Sequence, residues 1–268
     1  MDAHSAGQPS ESPPPFPTRE ELNAELLEVP CPPDQPAPVD QPGVERIVAS
    51  ALSYVRGKRG GDLVAVILVG SGARRALTAH SDLDLIALVK GQDEGHETVR
   101  IADRYVEIRY RGQKAVEEEL PYSPRLPPLL RKGRVLFELD AAGTSLIEKA
   151  QERFRQGPAP AALNERIRSK TDCLHWLGKA EDLGRSPAAA EYLFTIFVED
   201  LLQAFFRLRG FWLTAPADTL RFIASRDAAL GELLDRLLTA PTFEERLDLG
   251  RQAANALFKE IPSAPRID

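Results

Sequence analysis

The sequence has few of the features that mark a membrane protein or a disulfide-stabilised protein. Its 268 residues include two cysteines, Cys31 and Cys173, too few and too far apart for a disulfide framework or a cysteine metal site. No apolar run approaches the roughly 18 residues of a membrane span, and the first residues lack the basic start and apolar core of a secretion signal. We therefore expect a cytoplasmic protein with no membrane partner.

An excess of basic residues is also missing. The chain contains 34 Lys and Arg against 40 Asp and Glu, a formal charge of -6. Eight of the acids and one of the bases lie in residues 1–43, so the rest of the chain is close to neutral. Proteins that bind a nucleic-acid backbone usually show a clear basic excess. The composition favours a small-molecule substrate or a protein partner and gives no strong nucleic-acid signal.

The chain divides into three parts by composition and periodicity. Half of the 22 prolines lie within the first 42 residues, which predicts a largely disordered arm over residues 1–43 with one short helix beginning at Thr18. Residues 44–142 combine a helix at 44–56 with strand patterns, and residues 143–268 show long helical periods. The strand patterns cover residues 63–69, 82–89, 104–110 and, as a further candidate, 134–140.

These patterns predict an α+β fold. A small mixed β-sheet with flanking helices is followed by an all-α helical bundle. Within the bundle, Phe211 and Trp212 follow a helix rich in aromatic and branched residues. This pattern predicts a bundle core or a subunit interface, and the second interpretation is that Phe211 and Trp212 border a substrate pocket.

The segment GSGARRALTAHSDLD, residues 70–84, follows the apolar run LVAVILV. Because side chains alternate along a strand, Asp82 and Asp84 point to one face, roughly 6 to 7 Å apart at the backbone. Two carboxylates on one face are poorly tolerated unless a cation lies between them. Oxygen ligands of this kind are what Mg²⁺ prefers, so the segment predicts a magnesium site.

Other residues extend this site. Glu107, in the strand pattern YVEIRY, becomes a third ligand if its strand lies beside Asp84, and Asp103 is a weaker competitor. Gly70 permits close approach of the backbone to a ligand, Ser71 can donate a hydrogen bond to a phosphate oxygen, and Arg74 can neutralise phosphate charge. The histidines at positions 80, 96 and 175 have no ligand partner at a useful spacing and receive no role.

The segment GSGARRALTAHSDLDLIAL resembles the signature of the DNA polymerase β-like nucleotidyltransferase superfamily. This signature has Gly-Ser at a strand end, an Arg three residues after the Ser, and then Ser-Asp-x-Asp. With its helical C-terminal half, the chain resembles the kanamycin-type aminoglycoside nucleotidyltransferases and their bacterial relatives. Arg75 is a departure, because many relatives have Gly at that position.

The resemblance implies a transferase that moves a nucleoside monophosphate, AMP from ATP or the equivalent from another NTP, to a hydroxyl of a small-molecule acceptor. One or two Mg²⁺ ions would be held by Asp82, Asp84 and Glu107. The cofactor-binding positions would be Gly70, Ser71 and Arg74 for the triphosphate, and Ser81, which would steady the turn before the first Asp. The general base stays open among Glu107, Asp172, Glu191 and Glu199.

Two further expectations follow from the resemblance. Related kanamycin-type enzymes share active sites across a dimer, so a homodimer is one hypothesis for the assembly. The alternative function is a regulatory, antitoxin-like module that binds a nucleotide or a partner with little or no turnover.

Overall fold

The computed structural model describes residues 41–75, 77–91 and 94–264. Residues 1–40 of the predicted arm, with its short helix and Cys31, lie outside the described residues. From residue 41 onward the chain forms a helix, a mixed sheet and a series of further helices.

Five strands form one sheet in the order β3-β4-β2-β1-β5. Strand β1 pairs with β2 and with β5, and β3 pairs with β4, all antiparallel, whereas β2 pairs with β4 in parallel. The strands are β1 Leu63–Val69, β2 Leu83–Val89, β3 Gly95–Ile101, β4 Arg104–Gly112 and β5 Arg134–Glu138.

Both faces of the sheet are covered by helices, which explains why β1 and β2 are apolar along almost their whole length. Helix α1, Gln41–Arg59, packs on one face through buried side chains that include Val48 and Val55. Helix α5, Ala142–Gln156, packs on the other face through Leu146 and Ala150. The second layer also contains α3, Gln113–Glu119, and α4, Leu126–Leu130.

The edge strand β5 contains a bulge. Val66 of β1 pairs with Phe137, but the next residue, Ile67, pairs with Val135. Leu136 is therefore the extra residue, and it shifts the register of every β5 residue that precedes it in the chain by one position.

The C-terminal part of the chain is helical. Its long helices α6 and α7 pack on each other, and α10 packs on both. The core between them is aromatic, with Phe194 and Phe197 of α7 buried. The helices are α6 Leu163–Asp182, α7 Pro187–Arg209, α8 Thr219–Arg226, α9 Ala228–Thr239 and α10 Phe243–Leu257. The predicted class, a small mixed sheet with flanking helices followed by C-terminal helices, is confirmed.

The structure adds elements that the sequence patterns did not predict. Strand β3 is polar and largely exposed at the edge of the sheet, so its segment GHETVRI lacks the apolar alternation of a half-buried strand. Helices α3 and α4 are only seven and five residues long, and α4 contains two prolines. Such short segments carry too few turns for a helical period to be visible.

The described residues belong to one compact unit. The division into residues 44–142 and 143–268 stays a prediction. Among the helices of the described part of the chain, none combines the length and the apolar character needed to cross a membrane.

Arg104 is the buried charged residue that organises the loop between β1 and β2. It is 8% exposed, and its Nη1 donates hydrogen bonds to the carbonyl oxygens of Thr78, at 3.1 Å, and Ser81. Arg104, the first residue of β4, therefore holds in place the loop that ends at Ser81, next to Asp82.

Replacement of Arg104 tests this fastening. Arg104→Leu leaves two carbonyl groups without their donor, and we expect it to lower the free energy of unfolding by about 2 to 4 kcal/mol. The measurement is the urea midpoint. Arg100→Leu is the control, because Arg100 is 64% exposed and its ion pair with Asp103, at 3.7 Å, is a surface pair worth little. Equal losses in both variants would contradict the assigned role of Arg104.

Candidate functional site

The parallel pairing of β2 with β4 brings the three predicted carboxylates together. Asp84 lies directly opposite Glu107 in the register of the two strands. Asp82 precedes β2 and lies two residues before Asp84. Single carboxylate oxygens of Asp82, Asp84 and Glu107 all lie within 4.8 Å of one another. The competitor Asp103 is fully exposed and pairs with Arg100 instead.

Asp84 carries the strongest electrostatic strain of the group. Burial, followed by repulsion from the carboxylates of Asp82 and Glu107, raises the pKa of Asp84 to about 6, and Arg109 opposes this shift. A cation placed between the carboxylates would remove the repulsion. The all-oxygen donor set fits a hard divalent ion such as Mg²⁺.

Glu107 is oriented by two neighbouring side chains. Arg109 donates to Glu107 Oε1 from Nε at 3.0 Å and from Nη2 at 2.7 Å. His96 Nε2 lies 2.9 Å from the same oxygen. These contacts, with Arg109 contributing most, lower the pKa of the Glu107 carboxyl. Both neighbours contact Oε1, so the carboxylate can present its second oxygen to a ligand.

His96 is a site neighbour that sequence reasoning missed. It lies on β3, where its register partner is Arg109, although no role for it was predicted from the sequence. The sequence around His96 shows no strand pattern, and only the pairing of β3 with β4 brings this residue next to Glu107.

The glycine loop follows β1 directly and touches the carboxylate cluster. Gly70 has φ +66°, and a Cβ added there would lie 2.5 Å from Asp84 Oδ2. Only glycine satisfies both the left-handed backbone and this close approach. Ser71 is half-buried in the single turn Gly70–Ala73. Arg74 Nε donates to the Gly70 carbonyl oxygen at 3.3 Å, and its Nη1 lies 3.6 Å from Asp218 Oδ2.

Ser81 acts within the turn that precedes Asp82. Its Oγ accepts a hydrogen bond from the Thr78 backbone N–H at 2.9 Å and lies 3.0 Å from Thr78 Oγ1. The Ser81 carbonyl oxygen accepts from Arg104. These contacts are those of a residue that steadies the turn, and a contact from Ser81 to a phosphate stays a prediction.

The candidate bases of the helical part have different surroundings. Glu191 accepts hydrogen bonds from the Arg246 guanidinium, and Glu199 accepts one from Gln203 Nε2 at 3.0 Å. Asp172 pairs with Arg168 at 3.5 Å and lines a cavity of about 570 Å³. Of these three acids, Asp172 is the one that faces this cavity.

The cavity lies between the loop after α3 and helices α6 and α7. Phe211 and Trp212 line it, and the use of this cavity as an acceptor pocket stays a prediction. Trp212 is nevertheless buried, and its Nε1 donates to the Phe154 carbonyl oxygen at 2.9 Å. The cavity wall also includes Asp200, whose pKa is raised by burial and then by the carboxylates of Asp172 and Glu199.

The comparisons with known proteins identify a structural similarity without assigning a family. No protein-family model matches the sequence, and no curated protein matches it. Among solved structures, the chain is similar to a nucleotidyltransferase-like protein from Exiguobacterium sibiricum 255-15, with 15% identity and a TM-score of 0.46. The similarity covers 80% of this chain and 74% of the other. A similarity of this size assigns no activity.

The strain at Asp84 predicts a stability effect that depends on pH. Because the folded-state pKa of about 6 exceeds the unfolded value, ionised Asp84 destabilises the fold above pH 6, and the penalty disappears as the pH falls towards 4. In EDTA at pH 7.5, Asp84→Asn should be more stable than the parent protein by roughly 1 kcal/mol, a value reduced for the partial exposure of the side chain.

The measurement is thermal unfolding in EDTA at pH 7.5 and pH 5. The stability gain should fall to roughly half at pH 5, because there the folded carboxyl, with a pKa of about 6, is largely protonated while the unfolded carboxyl is still largely ionised. Asp103→Asn is the matched control, because Asp103 is fully exposed. An Asp84→Asn variant less stable than the parent at pH 7.5 would refute the repulsion.

The contact between Gly70 and Asp84 gives a second prediction. Gly70→Ala should cost about 1 to 3 kcal/mol of stability, because alanine is strained at positive φ and its Cβ would collide with Asp84. It should also weaken Mn²⁺ binding, since the collision displaces a carboxylate oxygen. Gly61→Ala is the control, because an added Cβ there meets nothing within 4 Å. Chemical denaturation and Mn²⁺ titration give the two readouts, and matching results for both variants would contradict the prediction.

Proposed function

We propose that this protein is a Mg²⁺-dependent nucleotidyltransferase that moves a nucleoside monophosphate, AMP from ATP in the first instance, to a hydroxyl of a small-molecule acceptor. The proposal rests on one observation, the contact between the carboxylate cluster and the glycine loop. Three carboxylates lie within 4.8 Å of one another, and the glycine loop approaches one of them so closely that no Cβ fits. A divalent ion and the phosphates that it binds need these two features side by side.

Asp82, Asp84 and Glu107 would hold the metal. When bound, Mg²⁺ would neutralise phosphate charge and favour in-line attack at the α-phosphorus with pyrophosphate as the leaving group. In the glycine loop, Ser71 Oγ would donate to a phosphate oxygen, and Arg74 would offset the charge of the triphosphate. Arg109 and His96 would keep the Glu107 carboxylate in one orientation during turnover.

The cavity supports the choice of a small acceptor. Its volume of about 570 Å³ lies within the range of small-molecule sites. Aromatic side chains and the carboxylates of Asp172 and Asp200 share its wall, which suits a polyhydroxyl compound that also carries amino groups, such as an aminoglycoside-like molecule. Asp172 lines this cavity and would be one of the candidate proton acceptors, together with Glu107, Glu191 and Glu199.

The test is pyrophosphate release from each of the four NTPs with Mg²⁺, against a panel of aminoglycosides and simpler hydroxyl compounds. We expect release that needs both an acceptor and a divalent ion. Asp82→Asn combined with Asp84→Asn should lower the rate by roughly 100-fold or more, since a metal ion contributes several kcal/mol to such a transition state.

The control for this double variant is Asp103→Asn, which removes an exposed acid from the neighbouring hairpin and should leave the rate unchanged. Nucleotide binding without pyrophosphate release for any acceptor would favour the antitoxin-like binding module. Equal activity of the double variant and the control would exclude the carboxylates from the reaction.

A further inference from the structure

Two cations that no sequence motif marks lie beside the glycine loop. The last register pair between β1 and β5 is Leu68 with Arg134. Gly70 follows the end of β1, and Arg131 and Lys132 lie in the turn that precedes β5, so both segments leave the sheet at this end of the strand pair. This turn lies against β1, because a Cβ added at Gly133 would lie 2.8 Å from Ile67 Cγ2.

Arg131 is a half-buried cation without a counterion in the described part of the chain. Its guanidinium carbon lies 3.8 Å above the centroid of the Phe154 ring. Its Nε is shielded from solvent and has no hydrogen-bond partner among the described residues. A buried donor without an acceptor costs free energy, so such a group is expected where a ligand completes the site.

Arg74 and Lys132 add positive charge at the same place. Burial and then the charge of Arg74 lower the pKa of Arg131 to about 10, and burial, Arg131 and Arg74 together lower that of Lys132. Asp218 is the acid that offsets them, and it is shared, because Arg221 Nη2 lies 2.6 Å from its Oδ1. A polyanion bound here would relieve the mutual repulsion of the three cations.

Strand β1 relates this cation cluster to the carboxylate cluster. At its end, Val69 pairs with Asp84 of β2 on one side, and on the other side lies β5 with the residues that precede it. The glycine loop therefore leaves the sheet between the strand that carries Asp84 and the strand that follows Arg131 and Lys132. A ligand that lies across the loop needs a metal-binding end and a strongly anionic end, which describes a nucleoside triphosphate.

We propose that Arg74, Arg131 and Lys132 form a binding site for the β- and γ-phosphates of the nucleotide. The nucleotide as ligand rests on the proposed function, whereas the affinity of the cluster for a polyphosphate does not depend on turnover. Arg131 donates through its guanidinium fork while packed on Phe154, Lys132 adds a second charge, and Arg74 reaches the phosphates from the loop itself.

The probe is inorganic tripolyphosphate, added to the full chain in EDTA so that metal binding plays no part. We expect the parent protein to bind it and to show a higher melting temperature in its presence. In Arg131→Met combined with Lys132→Gln, affinity should fall by roughly tenfold or more through the loss of charge-assisted hydrogen bonds. Methionine keeps the apolar contact with Phe154, and Lys132→Gln alone, at an exposed position, should show part of the loss.

The matched control is Lys114→Gln combined with Lys259→Gln, which removes the same charge from two exposed positions and should bind tripolyphosphate like the parent. The inference would be overturned if the parent protein does not bind tripolyphosphate. It would also be overturned if the Arg131→Met, Lys132→Gln variant binds tripolyphosphate as well as the control does.

Kinetics separate this inference from the proposed function. If the parent releases pyrophosphate, the Arg131→Met, Lys132→Gln variant should have a raised KM for the NTP, while its affinity for the corresponding NMP stays unchanged. An unchanged KM would overturn the phosphate site and leave the transferase standing. Tripolyphosphate binding that is lost in the variant, in a protein that turns over no NTP, would support the phosphate site and reject the transferase.

Discussion

The parallel pairing of β2 with β4 is the contact on which the rest of the site depends. Strand β3 lies between β2 and β4 in the chain and pairs antiparallel with β4. Strand β4 therefore runs in the same direction as β2, and this parallel pairing places Glu107 opposite Asp84. The pairing also brings the half-buried carboxyls of Asp84 and Glu107 close to each other and to the exposed carboxyl of Asp82. Repulsion between these carboxylates therefore costs folding free energy, and the apolar layers around α1 and α5 must offset it.

Much of this arrangement could be predicted from the sequence because it depends on local pattern. The apolar runs of β1 and β2 and the alternation in β4 are visible as strands, and the spacing of Asp82 and Asp84 places both on one face. Glu107 could be assigned to the site only on the condition that its strand lies beside β2, since the order of strands in a sheet depends on pairing between distant segments. The long C-terminal helices were visible from their period and from the Pro- and Gly-containing breaks between them.

The parts that escaped prediction depend on pairing between distant segments. His96 lies on an edge strand with polar side chains, so neither the strand nor its contact with Glu107 has a local signal. No sequence motif marks Arg131 and Lys132, because the pairing of the following strand, β5, with β1 determines the end of the sheet at which they lie. Glu191 and Glu199 were candidate bases from the sequence, and both lie on α7. Their side chains contact Arg246 of α10 and Gln203 of α7 instead of lining the cavity.

The bulge at Leu136 has a consequence for how such a protein could change during divergence. Because Leu136 is the extra residue, its loss would leave Phe137 paired with Val66 and Val135 paired with Ile67, and only the bulge would disappear. The edge strand can therefore lose one residue at this point without any change in the register of the residues before it. A single-codon deletion here would leave the carboxylates and the basic residues that precede β5 in their places.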